Sequence, residues 1–218
     1  MKAFHGDLAL KQKYIDQIKS HMDADEIIKG KYWEDGKGGS IGCVLHSSYH
    51  EDYEDLIGLP VWFAYLQDEI FKRLPNIESK EFTLRLFKAI NVDSDLEKIR
   101  THFLIFLLEY ILKKLQEEKF YGLKKTIDLA IDFFKNPNNA NLSNRYNRCY
   151  KNVNFLRRYL DVVRTIFWAF TDIYNPIVRN AAREVCDSCN YNNDDSVTER
   201  FWVMISEKLI ELVRNQTD

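Results

Sequence analysis

The sequence predicts an all-α fold: a single-domain multi-helix bundle of about eight to ten helices with a glycine-rich loop near the N-terminus. Apolar residues recur at i, i+3 and i+4 over most of the chain, capping and breaking residues bracket nearly every such stretch, and strict strand-like alternation is absent. Short connections favour up-and-down neighbours, and no repeat of fixed period is present.

The elements follow in order. Asp7 is placed to cap a first helix whose apolar face is Tyr14, Ile15, Ile18 and Met22. Asp23 and Glu26 have capping-box spacing and predict a short turn ending near Gly30, with Lys31 to Ser40 non-helical after it. Ser40 caps a short helix through Ser48, and a further turn from Tyr49 to Ile57 closes at Gly58. Pro60 starts a helix over 61–74 that Pro75 stops, and 80–90 repeats the pattern.

Ser94 opens the longest helix, over 95–121, with Gly122 at its end. A helix over 123–135 runs into Asn136-Pro137-Asn138-Asn139, the clearest loop, so 136–142 is the one place for a weak subdivision. A long helix over 143–173 is broken at Tyr174-Asn175-Pro176 and resumes to Cys189, and Ser196 with Glu199 boxes the final helix.

Composition limits the function classes. The 218 residues carry 45% hydrophobic and 14% aromatic side chains, enough to fill a core, so disorder is excluded. With 31 basic against 33 acidic residues there is no global field to attract nucleic acid or anionic lipid. Scattered cysteines at 43, 149, 186 and 189, and a start without an apolar leader, point to a reducing, cytoplasmic setting. The most apolar run, Phe103 to Leu112, is too short to cross a bilayer, so no membrane partner is expected.

Chemistry concentrates between Lys31 and Glu54. Seven of the eight glycines lie at or before position 58, four of them at 36, 38, 39 and 42. Glycine admits positive φ and close backbone approach, so Gly38, Gly39 and Ser40, with Lys37 as countercharge and Trp33 beside them, form a candidate site for a small anionic ligand. The alternative is a glycine-rich surface turn; the spacing matches neither a P-loop nor a dinucleotide fingerprint.

Cys43 lies in the first turn of the helix after Ser40, where the dipole lowers a thiol pKa, and His46 follows at i+3, so a thiolate nucleophile with a histidine base is one reading and a buried structural cysteine the other. His46, His50 and Glu54 are spaced i, i+4, i+8. On one continuous helix they share a face and become ligands for a divalent metal, with His5 and Asp7 completing the shell. Ser47 and Ser48 threaten that continuity. A catalytic set of Cys43, His46 and His50 is the combined expectation.

Three weaker candidates remain. Cys186 and Cys189 have metal or redox spacing without a second pair. Asp68-Glu69 beside Trp62 and Phe63 reads as a capped, exposed acidic pair, or else as a carboxylate whose partial burial would raise its pKa, with no partner assignable from spacing. The helix beginning near Ser143 carries Arg145, Arg148, Lys151, Arg157, Arg158 and Arg164 with Tyr146, Tyr150 and Tyr159 interleaved, which reads as a nucleic-acid face or as a solvated helix.

The residues Ala3-Phe4-His5-Gly6-Asp7, Tyr32-Trp33-Glu34-Asp35-Gly36-Lys37-Gly38-Gly39-Ser40-Ile41-Gly42-Cys43, His46, His50 and Leu56-Ile57-Gly58-Leu59-Pro60 resemble a family of hypothetical proteins of bacteria and their phages. The resemblance covers about the first 75 residues and implies no activity. The leading expectation is therefore a ligand-binding protein or enzyme at the Lys31–Glu54 segment. A helical interaction module using Trp33, Trp62, Trp168 or Trp202 is the first alternative, and nucleic-acid binding through 143–164 the second.

Overall fold

The computed structural model describes residues 1–115, 121–139, 141–142, 144–145, 157–171, 177–190 and 194–216. Among them are a 3₁₀ turn at Ala3–Gly6 and ten helices: α1 Leu8–Asp23, α2 Ser40–Leu45, α3 Asp52–Ile57, α4 Val61–Arg73, α5 Asn76–Ala89, α6 Leu96–Lys114, α7 Tyr121–Lys135, α8 Arg157–Thr171, α9 Ile177–Cys189 and α10 Asp195–Arg214. The only strands among the described residues are the two-residue pair β1 Trp33–Glu34 and β2 Lys37–Gly38. The fold is an all-α multi-helix bundle, and no described helix is long and apolar enough to cross a membrane.

Two compact units divide the chain, one from Met1–Ile99 with Asp194–Asp218 and the other Arg100–Asn193. The 136–142 loop lies inside the second unit. In the first, α5 packs against α1, α4 and α10, and α2 packs on both α1 and α4. The buried side chains there include Phe4, Ile18, Ile41, Tyr53, Phe63, Phe71, Phe82, Phe87 and Trp202. In the second, α8 packs on α7 and α9, and Phe134 stacks on Phe170 with ring centroids 4.1 Å apart.

Several boundaries follow from local chemistry. Asp7 accepts the Ala9 N–H at 2.7 Å, capping α1, and Asp194 accepts that of Ser196 at 2.8 Å, capping α10 two residues before the expected box. Gly58 closes α3 in the left-handed region at φ 70°. Pro60 precedes α4, and Pro75 follows its last residues.

The segment after α1 is not the expected helical turn. Ile27 forms a parallel bridge to Gly38, with Ile28 N–H donating to the Gly38 carbonyl at 2.8 Å and Gly38 N–H to that of Glu26 at 3.1 Å. A hairpin then pairs Trp33 with Gly38 and Glu34 with Lys37. Its loop is Asp35-Gly36, both at positive φ (51° and 78°), as a two-residue turn of the I′ kind requires.

Candidate functional site

The glycines of the loop are explained by packing. A Cβ on Gly38 would fall 2.1 Å from the Tyr32 carbonyl oxygen and one on Gly42 1.7 Å from it, so the strand leading into β1 crosses α2 at a distance only glycine allows. The backbone amides expected to cradle an anion are spent internally. Gly38 N–H goes to Glu26, as above, and Gly39 N–H bonds the Lys31 carbonyl at 2.9 Å and the Tyr32 carbonyl at 3.1 Å. The Ser40 hydroxyl is buried, accepting from Gln67 Nε2 at 2.5 Å and lying 2.7 Å from Thr83 Oγ1, while Tyr53 donates to Gln67 Oε1 at 3.1 Å. Lys37 stays exposed on β2. The Gly38 and Gly39 amides thus hold the hairpin in place, and the Ser40 hydroxyl does the same for α2.

The continuous helix required for the His46–His50–Glu54 metal face is absent. α2 ends at Leu45, and His46 adopts the left-handed conformation (φ 54°, ψ 33°) as its C-cap. Ser47 turns the chain instead, accepting the Tyr49 N–H at 3.1 Å and donating to Asp52 Oδ2 at 3.3 Å. Glu54 is exposed on α3, His5 donates from Nε2 to the Asp55 carbonyl at 3.1 Å, and Asp7 is the cap of α1. Among the described residues no group of three His, Cys, Asp or Glu is arranged to hold a metal ion.

Cys43 departs from its expected reactivity. It is fully buried, its S–H points to the Gly38 carbonyl at 3.3 Å, and burial pushes the thiol up to about 12. The short helix offers too little dipole to offset that desolvation. His46, the supposed base, turns its Nε2 elsewhere.

That other partner is His21. Its Nε2 lies 2.8 Å from His46 Nε2, and its Nδ1 lies 2.6 Å from Glu26 Oε2. Trp33 lies flat on the His46 ring, centroids 4.5 Å apart and planes 13° from parallel, and meets His21 edge-on at 5.4 Å. His21 is buried on the inner face of α1, His46 is exposed, and Glu26 is half-buried on the bridge segment. The ring of His46 is held below the ordinary imidazole range, first by burial and then by the neighbouring His21.

Glu26 as a carboxylate can only accept from His21 Nδ1. With His21 neutral, its Nε2 accepts from His46 Nε2 and His46 Nδ1 keeps its lone pair. In that tautomer the three groups can act as a base with two residues behind it.

His50 is on the other side of the hairpin strand. Buried, it stacks on Tyr65 at 4.3 Å with planes 4° apart and meets Tyr32 edge-on at 5.8 Å. Its Nε2 lies 3.3 Å from Asp68 Oδ2, the same oxygen that accepts from Lys72 Nζ at 2.7 Å. The carboxylate of Asp68 is buried, which raises its pKa, yet the hydrogen bonds from His50 and Lys72 and the charge of Lys72 prevail and hold it below the usual carboxylate range. Sequence reasoning favoured an exposed acidic pair here; both carboxylates are buried, and the Asp68 pKa is lowered by partners that spacing did not reveal. Glu69 pairs with Arg73 at 3.0 Å.

The remaining candidates separate. Trp62 and Trp202 are buried in the core, and Trp168 is 49% exposed beneath the Arg164 guanidinium, which also pairs with Asp161 at 2.9 Å. Of the basic-helix residues, Tyr146, Arg148, Tyr150 and Lys151 lie outside the described residues, as do the side chains of Arg157, Arg158 and Tyr159; Arg145 is exposed. Cys186 is buried and Cys189 half-buried.

His21, Glu26 and Lys72 were not among the predicted residues, and Asp68 was only a weaker candidate. The signal for the first two was the Asp35-Gly36 hairpin, which folds 33–38 back against the end of α1. No family model, curated protein or solved structure matches the chain.

Proposed function

We propose that the protein transforms or binds a small molecule at His46, which acts as a general base, with His21 and Glu26 as its relay and Trp33 as a flat wall beside it. The observation that carries this reading is the unbroken line of 2.6 and 2.8 Å contacts from Glu26 through His21 to the one exposed imidazole of the cluster. When a ligand gives its proton to His46 Nδ1, the proton on His46 Nε2 passes to His21 Nε2. The positive charge then rests on His21, beside the carboxylate that favours it. The reverse transfer returns a proton to the leaving group. Lowering of the His46 pKa by burial and by His21 keeps the ring neutral, and so basic, in neutral solution.

The reading replaces the cysteine nucleophile and the three-ligand metal site with proton transfer, for which the groups present suffice. Two measurements test it. Long-range ¹⁵N–¹H NMR at pH 7.5 should find His46 protonated at Nε2 and bare at Nδ1; the opposite tautomer removes the base. In a screen of chromogenic esters and phosphoesters, turnover should fall by about 10²–10⁴ in His46→Ala and by less in Glu26→Gln. Turnover indifferent to His46 would end the proposal.

A further inference from the structure

A concave site lies on the opposite side of the hairpin strand from His46. It is a cleft of about 140 Å³ whose lining includes Lys31, Tyr32, Gly39, Asp68, Phe71 and Lys72. Neighbouring residues on an extended segment face opposite ways, and this one sends Trp33 to His46 and Tyr32 to Lys72 and His50. We propose that this cleft binds a small monocarboxylate with a compact apolar body, held by Lys72 and the Tyr32 hydroxyl.

The donors decide the charge of the ligand. The Lys72 ammonium has three N–H groups; one goes to Asp68 Oδ2 at 2.7 Å and one to the Tyr32 hydroxyl at 3.2 Å, leaving a third. Because the Tyr32 oxygen accepts from Lys72, its own O–H is free to donate. Two donors 3.2 Å apart match the two oxygens of one carboxylate.

A cationic ligand is disfavoured because both features that attract one are already taken. The Lys72 ammonium occupies the Asp68 carboxylate and stands 4.6 Å from the centre of the Tyr32 ring. Asp68 in turn does not present an uncompensated charge, since the one oxygen accepts from both Lys72 and His50. Lys31 at the rim is paired with Glu34.

The body of the ligand follows from the walls and the volume. Phe71 and the Tyr32 ring are aromatic, and Gly39 leaves the space open: a Cβ there would stand 3.3 Å from Phe71 Cε1. A cavity of about 150 Å³ accepts benzene, so the cleft holds a single ring or a short branched chain.

The test titrates the full chain with benzoate, cyclohexanecarboxylate and butyrate, and with benzylamine and benzyl alcohol as shape-matched cation and neutral controls, followed by ¹⁵N–¹H spectra. At least one carboxylate should bind with a sub-millimolar Kd and shift the amides of Lys31, Tyr32, Gly39 and Phe71. Lys72→Met should weaken it tenfold or more. Tyr32→Phe, at an exposed position where folding is undisturbed, should weaken it about threefold or more. Three results each overturn the proposal: no carboxylate binding at 20 mM, a control ligand binding as tightly as its matched acid, or affinity unchanged in folded Tyr32→Phe and Lys72→Met proteins.

Discussion

Gly42→Ala sets two physical effects of opposite sign against each other at one atom. Gly42 is inside α2, where helix propensity alone makes alanine better by about 1 kcal/mol. The added Cβ, however, would meet the Tyr32 carbonyl oxygen at 1.7 Å, its carbonyl carbon at 2.8 Å and Trp33 Cβ at 3.3 Å. An ordinary carbon–oxygen contact is about 3.3 Å, so the strand must lift by more than an ångström. The atoms it would strike are main chain and cannot rotate away. Overpacking costs about 1–3 kcal/mol, and the Gly39 N–H bond to Tyr32 would be stretched as well, for about 1 kcal/mol more. With the propensity gain set against these, the net loss is about 1–3 kcal/mol. For a chain of this length that lowers Tm by about 2–12 °C. Urea and thermal unfolding followed by circular dichroism measure it. Gly36→Ala is the control: its Cβ meets nothing within 4 Å, and only the positive φ of 78° opposes it, for about 1 kcal/mol. A Gly42→Ala protein as stable as wild type would refute the account of the loop as a backbone crossing.

Other outcomes follow from the titrating groups. Burial raises Cys43 from 9.0 to about 12, so its neutral form is favoured by folding; the stability it contributes is whole below pH 9 and is lost as pH rises toward 12. Wild type should therefore lose more stability than Cys43→Ala over that range in urea titrations, and native Cys43 should resist iodoacetamide at pH 8 by mass spectrometry. His46 has the opposite sign. Its folded pKa lies below the ordinary 6.5, so its contribution is present above pH 6.5 and is lost as pH falls through the folded value; urea midpoints from pH 7.5 to 5.5 should decline more steeply in wild type than in His46→Asn. Asp68→Asn removes the negative charge of the acceptor shared by His50 and Lys72. It should cost about 2–4 kcal/mol in equilibrium unfolding, toward the lower end because Lys72 is 41% exposed and can turn to water. A variant as stable as wild type would show that the carboxylate does not hold the two together.

The helices were legible because their signals are local. Asp7, Gly58, Pro60 and Pro75 act on their own neighbours, and the predicted boundaries there stand within a few residues of the observed ones. The candidate site was legible only as a region. Spacing drew attention to His46 and His50 but assumed one helix beneath them, and a C-cap at His46 depends on the Gly42 carbonyl accepting the His46 N–H and on Ser47 turning the chain. The partners were hidden for a different reason: His21 is 25 residues from His46 and Asp68 is 18 from His50, and each pairing is made by tertiary packing of α1 or α4. One readable signal was passed over. Asp35-Gly36 between short flanks is a hairpin signature, and it predicts that Trp33 and Gly38 face one another.

The hairpin explains why two histidines four residues apart do different work. Its incoming strand runs over α2 at the two glycines, close enough that its side chains divide the space above the helix. Trp33 goes to one side and covers His46, which keeps a ring edge in solvent and a relay behind it. Tyr32 goes to the other and closes over His50, which is left buried against Tyr65 with Asp68 as its acceptor. Had α2 continued to position 50, both rings would project from one face and neither division would be possible. The glycines therefore set the separation: they bring the strand down, the strand separates the imidazoles, and one histidine is left exposed beside His21 while the other is buried against Asp68.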